Sequence, residues 1–198
     1  MKLIGKGAEA ELYLDKFLTR EIVVKDRKEK KYRIKEIDVP LRKRRTRNEA
    51  RLLALAKKAL VKVPIVHELG EFKITINRIK GKLLRDSKTT SELLRTAGEY
   101  LARLHLAGIT HGDYTTANLM VDERGRLHVI DFGLGSFSRD LEDKAIDVLL
   151  MKKSLGDEKK YKQFLSGYKI KNKDYSRILK QLEEVERRGR YVVRAMQG

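Results

Sequence analysis

Asp113 and Asn118, set as D-x-x-x-x-N in 'HGDYTTANLM', and Asp131, opening 'DFG', are the residue types that phosphoryl transfer from a nucleotide requires. Two oxygen-bearing side chains must hold a divalent cation, and one carboxylate must orient or deprotonate the nucleophile. All three have to converge on the same phosphates. This order predicts Asn118 and Asp131 as Mg2+ ligands and Asp113 as the base or water-orienting group. The chemistry also needs a cation on the α- and β-phosphates of ATP. Lys25 closes 'IVVK' and supplies one, with Glu49 on the following helix as its carboxylate partner. A backbone cover is expected from 'GKGAEA', where Gly5 and Gly7 let N–H groups approach phosphate oxygens and Ala8 and Glu9 share the turn. His111 is expected to support the loop by packing and hydrogen bonding. The hydroxyls of Tyr114, Thr115 and Thr116 are open to two roles, substrate contact or turn stabilisation.

The surrounding pattern must position these groups. 'AELYLDKF' and 'REIVVKDR' are short β-rich runs separated by 'LT', as expected of antiparallel neighbours. 'LRKRRTRNEARLLALAKKAL' then changes to helix formers, with Pro40 at its expected first turn. 'VPIVHELGEFKITINRI' returns to two strands. The texture shifts again near 'KGKLLRDSK', which divides an N-terminal lobe, 1–80, from a C-terminal lobe, 81–198. Leu94, Ala97, Leu101 and Leu104 recur at helical spacing and Gly108 supplies a stop. 'NLMVDERGRLHVIDF' reads as a hairpin, and after Arg139 the chain reads as helices broken near Gly156 and Asn172. The expected class is α+β.

Composition narrows the partners. The 198 residues contain no cysteine, which removes disulfide frameworks and cysteine-ligated zinc and fits a cytoplasmic setting. No run of about 18 apolar residues occurs, so no membrane span is expected. The 46 Lys and Arg against 28 Asp and Glu leave a formal charge of +18. Ion-pair networks raise both signs together, so the imbalance points to a polyanionic partner.

Taken together, 'GAEAELY', the K-x-R-x-x-K-x-Y-R run of Lys25, Arg27, Lys30, Tyr32 and Arg33, 'TRNEARLL', 'HGDYTTAN', 'IDFGL' and 'ERRGR' resemble the small atypical kinase of the KEOPS complex almost end to end. The resemblance implies a minimal bilobal protein-kinase-like fold, with an antiparallel N-lobe sheet plus one helix and a reduced, mainly helical C-lobe. It implies ATP and Mg2+ as cofactors. Its implied partners are the complex's threonylcarbamoyl-transfer enzyme, the other subunits and transfer RNA. By position, the adenine-facing contacts fall at Asn77 and Ile79, within 'INRIKG' where relatives often carry a Met-Glu pair. Glu9 is a family feature whose task is not evident from charge alone, since a carboxylate near phosphates is repulsive.

The absent parts bear on activity. Gly112 stands where protein kinases usually carry an arginine, and 'DFGLGSFS' passes into 'RDLEDKAIDVLLMKKSL' without an A-P-E segment. The peptide platform is therefore truncated, and the nucleophile is water, a partner's hydroxyl or a serine such as Ser136 or Ser138. A partner-stimulated ATPase or weak serine/threonine kinase is expected. Alternatives are a RIO-type kinase of ribosome maturation, a small-molecule phosphotransferase, or a scaffold without turnover. RNA contact is expected from Arg42, Lys43, Arg44, Arg45 and Arg47 on the first helix, and from Arg187, Arg188, Arg190 and Arg194 in the tail.

Overall fold

A computed structural model describes residues 1–7 and 9–195. The first half builds a five-stranded antiparallel sheet from β1 (Lys2–Lys6), β2 (Glu11–Phe17), β3 (Arg20–Asp26), β4 (Val66–Leu69) and β5 (Lys73–Asn77), in the order β1-β2-β3-β5-β4. In β3 the β-branched Ile22, Val23 and Val24 suit a pleated surface, and side chains alternate between its faces. Lys25 lies opposite Leu12 on β2 and Ile74 on β5, so these three share one face. That register aims a lysine into the space beneath the sheet.

The helix α1 (Lys35–Lys58) begins six positions before the expected start at Leu41, and Pro40 lies inside it. Pro40 removes one backbone donor, a cost that falls near the helix terminus. Local anchoring offsets it. Asp38 is fully buried, Arg42 Nε donates to its carboxylate at 2.5 Å, and Glu36 and Asp38 complement the positive end of the helix. Thus an ion pair, invisible in the propensities, extends the helix through the proline.

The remaining chain is helical around two small sheets. A three-stranded sheet contains β6 (Gly81–Leu83), β8 (Leu119–Asp122) and β9 (Leu127–Val129), and the last two form the expected hairpin. Two-residue strands β7 (Ile109–Thr110) and β10 (Ser136–Phe137) pair with each other. The helices are α2 (Ser91–Leu106), α3 (Leu141–Leu155), α4 (Glu158–Lys171) and α5 (Tyr175–Ala195), with breaks near Gly156 and Asn172 as expected. Thr90 caps α2, its hydroxyl accepting from Leu93 N at 3.2 Å. Among the described residues no helix is long and apolar enough to cross a membrane.

One buried cluster connects α1 to α5 through Leu52, Leu94, Leu101, Phe132, Phe164 and Ile178. Its closest crossing is α2 on α4. A Cβ on Gly98 would lie 2.0 Å from Phe164 O and 2.6 Å from Tyr168 N, so only glycine permits this approach. Gly98→Ala is expected to lower stability by about 1–3 kcal/mol through overpacking, read as a lower urea midpoint at unchanged m-value.

Candidate active site

Lys25 is buried, and its Nζ donates to Glu49 Oε1 at 2.8 Å and Asp131 Oδ1 at 2.5 Å. Sheet, α1 and the 'DFG' turn therefore meet on one ammonium. Arg27, also buried, donates through Nη2 to Glu49 Oε2, so the glutamate is gripped by two cations. This second grip holds α1 against the sheet independently of Lys25. Asp131 adopts φ 59°, a left-handed conformation unusual for a non-glycine residue, and accepts from Gly133 N at 3.0 Å. Partial burial opposes its ionisation, but the charge and hydrogen bond of Lys25 and the Gly133 N–H outweigh this and hold the carboxyl below the usual range.

Asp113 faces the same cleft, which has a volume of about 260 Å³ and is also lined by Gly7, Glu9, Lys25, Arg27 and Asp131. Asn118 Nδ2 donates to Asp113 O at 2.8 Å and to Asp113 Oδ2 at 2.7 Å. With its N–H groups so engaged, Asn118 has its amide oxygen to offer a cation, alongside the half-exposed Asp131 carboxylate. Two hard oxygen donors fit Mg2+, which takes few protein ligands and completes its shell with phosphate oxygens and water.

The loop carrying Asp113 is fixed from beneath. Buried His111 places its ring 4.7 Å from that of Phe132, with Nε2 3.0 Å from Ile130 O, while Asp113 N donates to Nδ1 at 3.3 Å. This arrangement is the Nε2–H tautomer, engaged at both ring nitrogens. Tyr114 OH donates to Ala97 O on α2 at 2.7 Å, and Thr115 O accepts from Asn118 N at 3.0 Å. Ser154 Oγ accepts from Thr116 N at 3.1 Å. The tyrosine hydroxyl thus stabilises the fold.

Asp147 on α3 was not evident in the sequence. Fully buried, it accepts His111 N through Oδ2 at 2.7 Å and Gly112 N through Oδ1 at 2.8 Å. His105 Nε2 approaches Oδ2 at 3.2 Å, and His105 Nδ1 accepts from Tyr168 OH at 2.7 Å. Burial pushes the His105 pKa down although Asp147 favours the charged form, which leaves a neutral ring donating to the carboxylate. Gly112 has φ 74°, and a Cβ there would meet Leu134 O at 2.4 Å. The position thus excludes any side chain, an arginine included.

Glu9 now has a physical role. Its carboxylate pairs with Arg45 and, at 3.3 Å, with Arg33 Nη2, tying the connection between β1 and β2 to α1. Burial opposes its charge, yet the two guanidinium groups hold its carboxyl below the usual range. Gly7 N donates to Ala10 O at 2.9 Å and closes the turn. Gly5 sits at an irregularity in β1 opposite Leu12, a residue that lines the cleft, and Ala8 lies outside the described residues.

Asn77 and Ile79 do not line this cleft and border a different groove. Asn77 Oδ1 accepts from Ile65 N at 2.5 Å, so its side chain ties the end of β5 to the residue before β4.

Part of the basic helix is engaged within the fold. Arg42 is tied to Asp38 and Arg27 O and lies 4.0 Å from the Phe72 ring. Arg45 holds Glu9, and Lys43 pairs with Glu71. These three serve the fold and the loop, leaving only Arg44 and Arg47 of the five as exposed, unpaired cations among the described residues. In the tail Arg187 is exposed and Arg188 pairs with Glu142 at 3.0 Å, while the side chains of Arg190 and Arg194 lie outside the described residues.

Comparison with known proteins places this geometry in a lineage. Residues 23–165 match the ABC1 atypical kinase-like domain, a span that includes Lys25, Asp113, Asn118, Asp131 and Asp147. The chain is 38% identical to the KEOPS complex subunit Bud32 of Pyrococcus abyssi, covering 96% of both chains. It is 40% identical to a probable bifunctional tRNA threonylcarbamoyladenosine biosynthesis protein of Methanosarcina acetivorans, over 95% of this chain but only 35% of that one. The chain thus spans about a third of such bifunctional relatives. Among solved structures, the Rio2 kinase–ADP/Mg2+–phosphoaspartate complex of Chaetomium thermophilum superposes with a TM-score of 0.65 at 14% identity, covering 97% of this chain and 72% of that one. That likeness establishes the kinase-like fold. With one relative matched across nearly the whole of both sequences, the chain belongs to the Bud32 family of atypical kinase-like proteins.

Proposed function

We propose that this chain is an ATP-dependent phosphotransferase that works chiefly as a partner-stimulated ATPase, supporting threonylcarbamoyladenosine formation in transfer RNA within a cytoplasmic KEOPS assembly. The observation that carries it is the convergence of Lys25, Glu49 and Asp131 on one ammonium in a cleft that Asp113 also lines. In this reading Lys25 holds the phosphates, Asn118 and Asp131 hold Mg2+, and Asp113 orients the attacking water or hydroxyl. The Gly7–Glu9 turn covers the phosphates, with Arg33 and Arg45 restraining it through Glu9. Bound Mg2+ would neutralise charge on the transferring phosphate; the chain's residues position and exclude. Relatives named for threonylcarbamoyladenosine biosynthesis support this over ribosome maturation, for which the Rio2 likeness offers the fold alone.

Serine/threonine kinase activity is the finer alternative for the same site. Ser136 lies in β10, its Oγ 2.9 Å from Thr110 Oγ1, and Ser138 Oγ accepts from Asp140 N. Both serines are thus engaged close beyond the metal-binding turn. Adding the threonylcarbamoyl-transfer enzyme is expected to raise ATP hydrolysis well above that of the isolated chain. An unchanged rate in a reconstituted complex that still modifies transfer RNA would remove the partner-stimulated reading.

A further inference from the structure

With Arg42, Lys43 and Arg45 of α1 engaged in the fold, available positive charge is found at a second site that shares no residue with the nucleotide cleft. A groove of about 670 Å³ opens between the β2–β3 turn, the linker after β5 and the β8–β9 hairpin. Its walls carry Arg20, Arg78, Lys80, Arg124 and Arg126. Against these cations stand Glu21, Asp122 and Glu123. Glu21 is shared by Arg78 at 3.0 Å and Lys80 at 2.8 Å, and Asp122 by Arg126 at 2.8 Å and His128 at 2.9 Å. Arg20 and Arg124 are exposed and have no ion-pair partner among the described residues.

The groove is also held in shape. Glu123 N donates to Lys80 O at 3.1 Å, Gly81 pairs with Asp122, and Asp122 Oδ1 accepts both Arg124 N and Arg126 N at 2.9 Å. These bonds fix the hairpin that presents Arg124 and Arg126 against the linker that presents Arg78 and Lys80.

The chemistry of the lining selects the ligand. The walls contain no Phe, Tyr or Trp, and Ile79 is their one aliphatic side chain. An acidic protein partner would need an apolar centre to exclude water from the contact. A phosphodiester backbone needs none: arginine and lysine spaced along a channel hold phosphates by charge and forked hydrogen bonds. We propose that this groove binds the phosphodiester backbone of RNA. The proposal rests on the transfer RNA reading above and gives it a location. Because one wall belongs to the large sheet and the other to the hairpin below it, a bound strand bridges both halves of the molecule across the linker.

The test is titration of the full chain with labelled transfer RNA at several salt concentrations, comparing wild type with Arg20→Glu/Arg124→Glu and with Arg44→Glu/Arg47→Glu as a control of equal charge change. Arg20 is exposed at the first position of β3 and Arg124 in the β8–β9 turn, and an unchanged melting temperature and basal ATP hydrolysis verify that the groove variant is intact. Each lost phosphate contact is expected to lower the log–log salt slope by about 0.7–0.9 and affinity about fivefold near physiological salt, so the groove variant should fall by at least tenfold and the control by less. Wild-type affinity and slope in the groove variant, or an equal loss in the control, overturns the groove while leaving the transfer RNA reading standing. Failure of wild type itself to bind transfer RNA overturns both. Loss of a protein partner with RNA binding unchanged assigns the groove to that partner and overturns the proposal.

Discussion

Asp131→Ala is expected to remove magnesium-dependent ATP turnover, whereas Asp113→Ala keeps nucleotide binding and loses the chemical step. Asp131 is both the carboxylate beside Lys25 and a hard oxygen donor that the cleft offers to a cation. Its loss withdraws the metal and leaves Lys25 paired with Glu49 alone, and one such electrostatic group is worth roughly 10²- to 10³-fold. Asp113 touches neither Lys25 nor Glu49 in the hydrogen-bond network, and its main-chain oxygen would still anchor Asn118. Turnover should then fall roughly 10²- to 10⁴-fold with little change in ATP affinity. Calorimetry with MgATP and steady-state phosphate release separate the two variants. Equal turnover by wild type and Asp131→Ala, in a preparation free of contaminating ATPase, would contradict the assignment.

Asp147→Ala carries the second large effect, on fold and function together. The substitution orphans the buried N–H of His111, the part-buried N–H of Gly112 and the buried ring N–H of His105. At about 1–3 kcal/mol for each of the two unsatisfied buried donors, the expected loss is about 2–6 kcal/mol, enough to unfold a marginal domain. Asp147→Asn retains one carbonyl acceptor and should fold. It should still lower kcat without raising the KM for ATP, because Asp113 is displaced while Lys25 and Glu49 remain in place. Wild-type kcat in a folded Asp147→Asn protein would show that the backbone of the loop does not depend on this carboxylate.

These effects also mark what could be read from the chain. Asp113, Asn118 and Asp131 were legible because a short loop and a hairpin bring them together by local geometry. The strands around Lys25 and the three last helices were legible from periodicity and breakers. Asp147 was not, since 'DKAIDVLLM' has no signal that its second aspartate reaches a loop 36 positions away. The start of α1 was misplaced because Pro40 is a strong local stop, while the Asp38–Arg42 pair that overrides it depends on burial. The pairing of the arginines was not legible. The run 'RKRRTR' was read as RNA-contacting, and Arg42 and Arg45 are taken up by Asp38 and Glu9, because sequence does not reveal which cations a fold will pair. The same pairing explains Glu9, whose charge looked repulsive until its two arginines were in place.

Turnover of γ-labelled ATP, with free phosphate and protein-bound label followed in one assay with and without the threonylcarbamoyl-transfer enzyme, tests the central claim most directly. The account predicts slow phosphate release by the isolated chain, faster release with the partner, and protein-bound label that stays flat. Stoichiometric label on the partner or on the chain itself, with no rise in free phosphate, would contradict it.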